Sequence, residues 1–575
     1  MRPPKRTSIA LLALLLSAPL LAETSPAQAG AAKAPSTTPR LPLGPANLPE
    51  TRTVDQLAPG LNLTTITRGQ ADPAHEFWSI GVNLPVGEVL PDPDPDADQG
   101  SLATLDKAQA VKTQIAESPS VAAVLAAKGQ DWQPRVEAVD WAPKMRDYRG
   151  GLAGYTLRVG KYATAPTAAD PVFAALLAAH FKVFAVYTGQ DGRPGNTGPW
   201  VVRVLTMDPR RFKGSVASTV GDAVSGQETT SAMAQKAGAI YATNGGFFSI
   251  SPNDGTPGVP AGLSVVNGKV ETAAVNGRVA LILGRSGKGP RIEALSSHYT
   301  VSVGGSKHLL DALNRPAGVI RNCGGVGGDV PTQRPVQDFT CTDPDEVVAI
   351  TPAYGIAPPA GAGVEALVSP SGRVTAVRAR TGAAVPAGYT VLQAIGADAT
   401  WLSKHARIGA RVCLTTTVKD DRNRTVRFGS GDSVVNGGPL LVRNGRVDVD
   451  INAEGMVHEN PALGLPTSAL GAAFGYNWFI RDNPRTGAGI DAAGRLLLVQ
   501  VDGRQDTLSQ GLSIQAFAEV MRSLGSVQAI NLDGGGSSAT VINGRLVSSP
   551  SDVDSTGTHT ERKDGDAIVV VPSSR

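Results

Sequence analysis

Cysteine is nearly missing from this sequence, with three in 575 residues. A chain of that length has room for about three or four domains and needs no covalent staple to supply its core, which excludes the small disulfide scaffolds. Aromatic residues are 5% and charged residues 18%, while Gly 66 and Pro 42 are in surplus. That balance excludes coiled coil and wholesale disorder and describes a turn-rich, strand-friendly chain. The formal net charge is +3, and Arg2, Lys5 and Arg6 supply three positives by themselves, so a chain that loses its first twenty-odd residues is neutral. A nucleic-acid reader working by bulk charge is thereby excluded. Signature motifs are missing too. There is no Gly-x-Ser-x-Gly elbow, no P-loop lysine motif and no His-Glu-x-x-His, and the seven histidines show no paired ligand spacing. His458-Glu459 reads as solvated loop. No metal or cofactor is expected, and carboxylate, arginine, amide and backbone chemistry remain.

The three N-terminal charges precede an apolar run from Ile9 to Leu21, with small residues at Ala22, Ala27 and Ala29. This is the layout of a secretory signal peptide, assigned to 1–29 with cleavage after Ala22 or Ala29 left open. About 13 apolar residues cannot span a roughly 30 Å hydrocarbon core, and no later segment approaches 18, so no stable membrane span is expected after cleavage. The expected location is secreted or cell-wall associated. Cys323 and Cys341 flank a Gly/Pro-rich stretch, and a disulfide closing it would stabilise the fold by about 3 kcal/mol. Cys413, inside Val412-Cys413-Leu414, reads as a buried strand residue.

Residues 30–50 read as a flexible tether, and 51–134 as a region with strands at Leu61 to Thr67 and Trp78 to Val82 and a stiff breaker, Pro91-Asp92-Pro93-Asp94-Pro95-Asp96. In 135–189, Tyr155 to Val159 is strand-like, Asp170-Pro171 starts a helix, and Lys182 to Tyr187 is a second strand. This β-α-β order with Leu157-Arg158-Val159-Gly160 resembles half of a sporulation-related repeat (SPOR) domain. The resemblance implies peptidoglycan as a partner.

From 198 to 574 short strands alternate with turns. Asn267-Gly268, Asn276-Gly277, Asn444-Gly445 and Asn543-Gly544 each separate apolar runs, the strongest short-range hairpin signal. Asn244-Gly245-Gly246, Asn436-Gly437-Gly438 and Asp533-Gly534-Gly535-Gly536 each end an apolar run. One helix, capped by Ser513, shows Ile514, Phe517, Ala518 and Met521 on one face and stops at Gly525. It joins strands at Leu496 to Val501 and Gln528 to Leu532 in a β-α-β crossover. The fold expected is α+β or mixed α/β, a strand-rich catalytic domain behind a small SPOR-like β-α-β unit.

Asp533 at a strand end, before residues free to take positive φ, places a carboxylate beside the amides of Gly534 to Ser537, a cradle for an anion. Arg485 at the mouth of a strand, and Asp502 and Arg504 in Val501-Asp502-Gly503-Arg504, add guanidiniums suited to phosphate and a second carboxylate.

Asn244-Gly245-Gly246-Phe247-Phe248, Asn436-Gly437-Gly438-Pro439, Pro484-Arg485-Thr486, Val501-Asp502-Gly503-Arg504, Asn531-Leu532-Asp533-Gly534-Gly535-Gly536-Ser537-Ser538 and Pro550-Ser551-Asp552 stand in the order found in the phosphodiester glycosidase family. The chain resembles that family from Trp200 to Val571, with Arg485-Thr486-Gly487 where relatives often have alanine third. The resemblance implies hydrolysis of a sugar-1-phosphodiester, whose leaving group is a stable anion needing electrostatic help more than a proton donor. Asp533 is the first candidate to face the anomeric carbon, Asp502 the second and Glu228 the third. Arg485 and the Gly534 to Ser537 amides are assigned to the phosphate. Asn244, Gly245, Gly246, Asn436, Gly437, Thr486 and Arg504 are the expected substrate contacts. The alternative reading is a peptidoglycan-binding wall protein with a non-catalytic or general glycosidase-like domain.

Overall fold

The computed structural model describes residues 39–85, 99–141, 146, 150–193, 195–284, 289–456 and 473–573. The expected leader, the Pro91 to Asp96 breaker and His458-Glu459 lie outside the described residues. The described residues from Leu41 onward belong to one unit.

The strand Leu496–Val501 reads Leu-Leu-Leu-Val-Gln-Val and is buried throughout. A continuous apolar run belongs to a strand covered on both faces. Leu497, Val499 and Val501 share a core with Phe517 and Met521 of the helix Ile514–Ser523, while Leu496 and Leu498 share another with Tyr241, Ile568 and Val570. The strand lies inside an eight-stranded sheet ordered Glu50–Ala58, Leu61–Arg68, Trp200–Met207, Leu496–Val501, Arg485–Asp491, Ser526–Asn531, Leu440–Arg443 and Arg446–Val447. Leu496–Val501 and Ser526–Asn531, joined by the helix, both pair antiparallel with Arg485–Asp491 between them. Ser513 caps the helix by accepting from the Ala516 amide.

A five-stranded sheet, Gly214–Thr219, Ala567–Pro572, Tyr241–Asn244, Thr540–Ile542 and Arg545–Leu546, covers the second core. Three of the four Asn-Gly pairs make two-residue hairpins, with both residues at positive φ: Asn267-Gly268, Asn444-Gly445 and Asn543-Gly544. Asn276-Gly277 does not. The Asn276 side chain accepts from the Ser297 amide and donates to Gly325 O, fixing a different turn. Cys413 lies in the strand Val412–Asp420 but is exposed, because the alternation buries Val412 and turns its neighbour to the opposite face.

A four-stranded antiparallel sheet ordered Arg135–Asp140, Leu152–Tyr162, Trp78–Val82, Val183–Tyr187 forms a smaller unit. The helices Leu105–Glu117, Pro119–Ala126 and Pro171–Ala178 share one core with Ile80, Val82, Leu157 and Val159. Chain order and sheet order are those of a split β-α-β unit. The boundary expected between 134 and 135 therefore cuts this sheet, since Trp78–Val82 is an inner strand of it. The strands Glu50–Ala58 and Leu61–Arg68 belong instead to the large sheet.

The glycine at 487 has a packing reason. A Cβ there would sit 2.8 Å from Ile530 O and from two ring carbons of Phe517. Gly487→Ala is expected to destabilise the fold by about 1–3 kcal/mol in urea denaturation, and Phe517→Leu in the same chain should recover part of that loss through negative coupling.

Candidate active site

Arg485 opens its strand opposite Val501, and Asp533 follows the strand whose last residue, Asn531, pairs with Gly487. Antiparallel pairing thus brings Arg485, the segment after Val501 and the segment after Asn531 to one end of the large sheet. There a cleft with about 210 Å³ of water-accessible space opens, its lining including Phe247, Phe248, Trp478, Arg485, Arg504 and Asp533.

The Arg485 guanidinium is buried. Its Nε donates to Leu512 O (2.8 Å) and its Nη2 to Trp478 O (2.6 Å), and it lies over the Trp478 ring. Among the described residues no carboxylate forms an ion pair with it, and its Nη1 has no protein acceptor. Burial, reinforced by the Arg504 charge, pushes its pKa down to about 9. Arg504, in left-handed backbone (φ 60°), gives Nε and Nη2 to Asn483 Oδ1 and also has no ion pair among the described residues. Burial, with the charge of Arg481, takes it to about 10. Both remain cationic at neutral pH. Arg485, the buried one of the two, has only the field of the Asp482 carboxyl to offset its desolvation until an anion arrives.

Asp533 is half-buried at the cleft. Burial raises its carboxyl to about 6, against the pull of the Ser537 hydroxyl and the Gly534 amide. Behind it, burial holds Asp564 well above the usual carboxylate range and Asp566 at about 7, so that Asp533 is the first of the three to ionise. The triple glycine lets cations close in. A Cβ on Gly535 would lie 3.4 Å from Arg504 Nη2, and one on Gly536 2.3 Å from Arg562 Nη2.

Several expected residues fall elsewhere. Asp502 is buried under Arg203 (2.7 Å), Gln500 Nε2 and the Ser549 amide, which occupy both its oxygens. Glu228 is ion-paired with Lys236 and bound by the Asp222 amide, outside the cleft lining. The amide cradle is mostly spent internally: Gly534 N donates to Asp533 Oδ1, Gly535 N to Pro484 O and Ser537 N to Gly534 O. Among the described residues only the Gly536 amide in that loop keeps no protein acceptor. Ser537 itself is buried outside the lining.

Asn244 works behind the surface. Its Nδ2 donates to Asp533 O and its Oδ1 accepts from the Thr486 hydroxyl and the Ala539 amide, so Asn244 and Thr486 pin the loop rather than meet a ligand. Asn436 pairs both ways with the Phe247 backbone, aiming Phe247 and Phe248 at the cleft. Gly245 and Gly246 are required by close approach, to Asp566 Oδ1 and Asn436 O, and Gly437 by approach to Asn531 O.

Other lining residues were not candidates from the sequence. Arg562 is paired with Asp552, and Arg321 with Asp254 and Asp338. Gln337 and Asp338 reach the cleft on the loop closed by the Cys323–Cys341 disulfide, which forms as expected, and Asn322 reaches it from just before that loop. Scarce aromatics were a usable signal for Trp478; nothing marked Arg562. Away from the cleft, Asp311, Asp343 and Glu346 bring carboxylate oxygens within 4.8 Å of one another, with Arg315 neutralising Glu346.

Residues 362–571 match the profile of the family described as phosphodiester glycosidase. That stretch, a little over a third of the chain, carries a phosphodiester glycosidase domain. The matched range contains Arg485, Arg504, Asp533 and Arg562, and the sheets it enters also hold the earlier strands Trp200–Met207 and Tyr241–Asn244. Among curated relatives, N-acetylglucosamine-1-phosphodiester alpha-N-acetylglucosaminidase of Bos taurus is 35% identical over 113 residues, 20% of this chain and 19% of that protein. The Mus musculus protein of the same name is 48% identical over 68 residues, 12% of this chain and 13% of that one. The matched stretches thus span a fifth or less of those relatives. A solved structure from Burkholderia pseudomallei K96243, named as a candidate exported protein, is 32% identical, covers 93% of this chain and 98% of that one, and superposes with a TM-score of 0.79. At that coverage the small split β-α-β unit is part of the shared fold.

Two cations at one cleft, neither in an ion pair among the described residues, predict anion-dependent stability. Millimolar phosphate should raise the melting temperature by several degrees, and Arg485→Gln should remove most of that rise while leaving the anion-free protein at least as stable. Differential scanning calorimetry at two phosphate concentrations checks it.

Proposed function

We propose that the chain is an exported hydrolase that cleaves the glycosidic bond of a sugar-1-phosphodiester within a wall polymer or exopolysaccharide. The observation that carries this reading is the trio at one cleft: the buried Arg485 guanidinium, the more exposed Arg504 and one carboxylate, none of them in an ion pair among the described residues. Arg485 and Arg504 bind the phosphodiester and stabilise the departing phosphate monoester as charge builds on its oxygens. Such a leaving group needs no strong general acid. Asp533, as carboxylate, attacks the anomeric carbon or activates water for that attack. Phe247, Phe248 and Trp478 offer an apolar wall to the sugar ring. The matched domain and the names of the curated relatives support the linkage. Export is supported by the apolar leader, by the disulfide and by the name of the Burkholderia relative. Among the described residues no helix is long and apolar enough to cross a membrane.

The test is sugar release by the purified chain from a sugar-1-phosphodiester against a nitrophenyl glycoside of the same sugar. The diester should be the faster by about 10²-fold or more, and both Asp533→Asn and Arg485→Gln should cost about 10²–10³-fold. Equal rates on the two substrates, or an active Asp533→Asn, would overturn the reading. The pH profile carries a sign. Burial raises the Asp533 pKa to about 6, so the working carboxylate is lost as pH falls through 6 and kcat/KM should decline about tenfold per unit below it. The same shift makes the folded state bind its proton more tightly, so Asp533 favours folding at low pH and loses that contribution as pH rises from about 4 to 6.

A further inference from the structure

The small split β-α-β unit touches the large domain at the two segments that carry the cleft's guanidiniums. Its strand Leu152–Tyr162 turns Leu157 and Val159 toward its own helices and Thr156 and Arg158 to the opposite face, and all four are buried. Arg158 reaches Asp191 through two 2.6 Å contacts and gives Nη2 to the Tyr476 hydroxyl (2.9 Å), which itself donates to Asp191 Oδ1. Tyr476 begins the π-helical turn Tyr476–Ile480, whose Trp478 carbonyl holds Arg485 Nη2. Ser101 donates to Asn477 Oδ1 on the same turn, and Asn477 lines the cleft. The other segment is gripped as firmly. Trp78 Nε1 donates to Asp506 Oδ2 (2.8 Å), while Glu76 takes both the Tyr187 hydroxyl and Gln510 Nε2. That loop carries Arg504 and leads to Leu512, whose carbonyl holds Arg485 Nε.

We infer that the small unit is a brace for the anion site: Arg158, Ser101 and Trp78 are positioning residues that fix the carbonyls and loop backbone from which Arg485 and Arg504 are aimed. This rests on the reading of those two arginines as phosphate ligands. A π-helical turn and an eleven-residue loop (502–512) are short segments rich in backbone freedom, and a guanidinium held by carbonyls is placed only as well as those carbonyls are. On the helix-free face of the sheet these contacts engage Arg158, beside a cavity of about 140 Å³ that Thr156 and Arg158 help to line.

The experiment compares the full chain with a Ser101→Ala/Trp78→Phe/Tyr476→Phe variant, which removes polar atoms with little change of shape, and with each single change. Calorimetric titration with inorganic phosphate and amide hydrogen exchange are the readouts, with the melting temperature as control. The triple variant should bind phosphate about tenfold more weakly and exchange about tenfold faster in 473–485 and 502–512, with graded effects in the singles and exchange elsewhere unchanged. Unaltered phosphate affinity and unaltered exchange in those two segments would overturn the brace. So would exchange that rises evenly along the chain, which marks general destabilisation. Arg485→Gln separates the two readings. If it leaves phosphate binding intact, the assignment of Arg485 to phosphate falls, and the exchange data on the two segments still decide whether the small unit orders them.

Discussion

A buried guanidinium with no ion pair among the described residues sets the terms for the rest of the cleft. Arg485 gives its hydrogens to Trp478 O, Arg481 O and Leu512 O, which supply dipoles but no negative charge. Keeping a cation in that state costs several kcal/mol, and the fold offsets it through the large apolar cores on either side of the sheet. The second arginine, Arg504, makes matters electrostatically worse in the empty cleft, since each cation disfavours charge on its neighbour. Structures do not retain such a pair for stability. The arrangement has value only toward an anion, and a carboxylate a short way along the same sheet end gives that anion a chemical reason to be there.

The carboxylates around the loop divide the work by environment. Asp502 is neutralised by Arg203 and saturated with hydrogen bonds, so it braces the strand end. Burial raises Asp564 well above the usual carboxylate range, against the pull of the Arg562 charge, and Asp566 to about 7. Asp533, touching solvent and bound by its own loop amide, is left to ionise near neutrality. Four chemically identical side chains thus take three different states within one small region, and burial and partner choice account for each.

Local pattern made much of this visible in advance. The run Leu496 to Val501, the helix behind Ser513 and three Asn-Gly hairpins follow from short-range rules, because the residues that decide them are neighbours in sequence. Asp533 and Arg485 were legible as a strand-end carboxylate and a strand-mouth arginine. Asp502 was not separable from Asp533, since the residue that disarms it stands 299 positions earlier, and no spacing rule reaches that far. The glycine amides misled because two of the loop's amides close on the loop itself, at Asp533 Oδ1 and Gly534 O, and the Gly535 amide on Pro484 O from a distant segment. Arg562, between Glu561 and Lys563, looks like solvated charge until the sheet carries it to the cleft.

The order of the large sheet has a kinetic consequence. Trp200–Met207 is flanked by Leu61–Arg68 on one side and Leu496–Val501 on the other, so one of its edges stays unsatisfied until only about the last eighth of the chain remains to be made. Contacts of such sequence separation are slow to form, and an open apolar edge is a site for unwanted pairing while it waits. Export as proposed would make that delay an asset, because the central sheet cannot close before the C-terminal strands arrive.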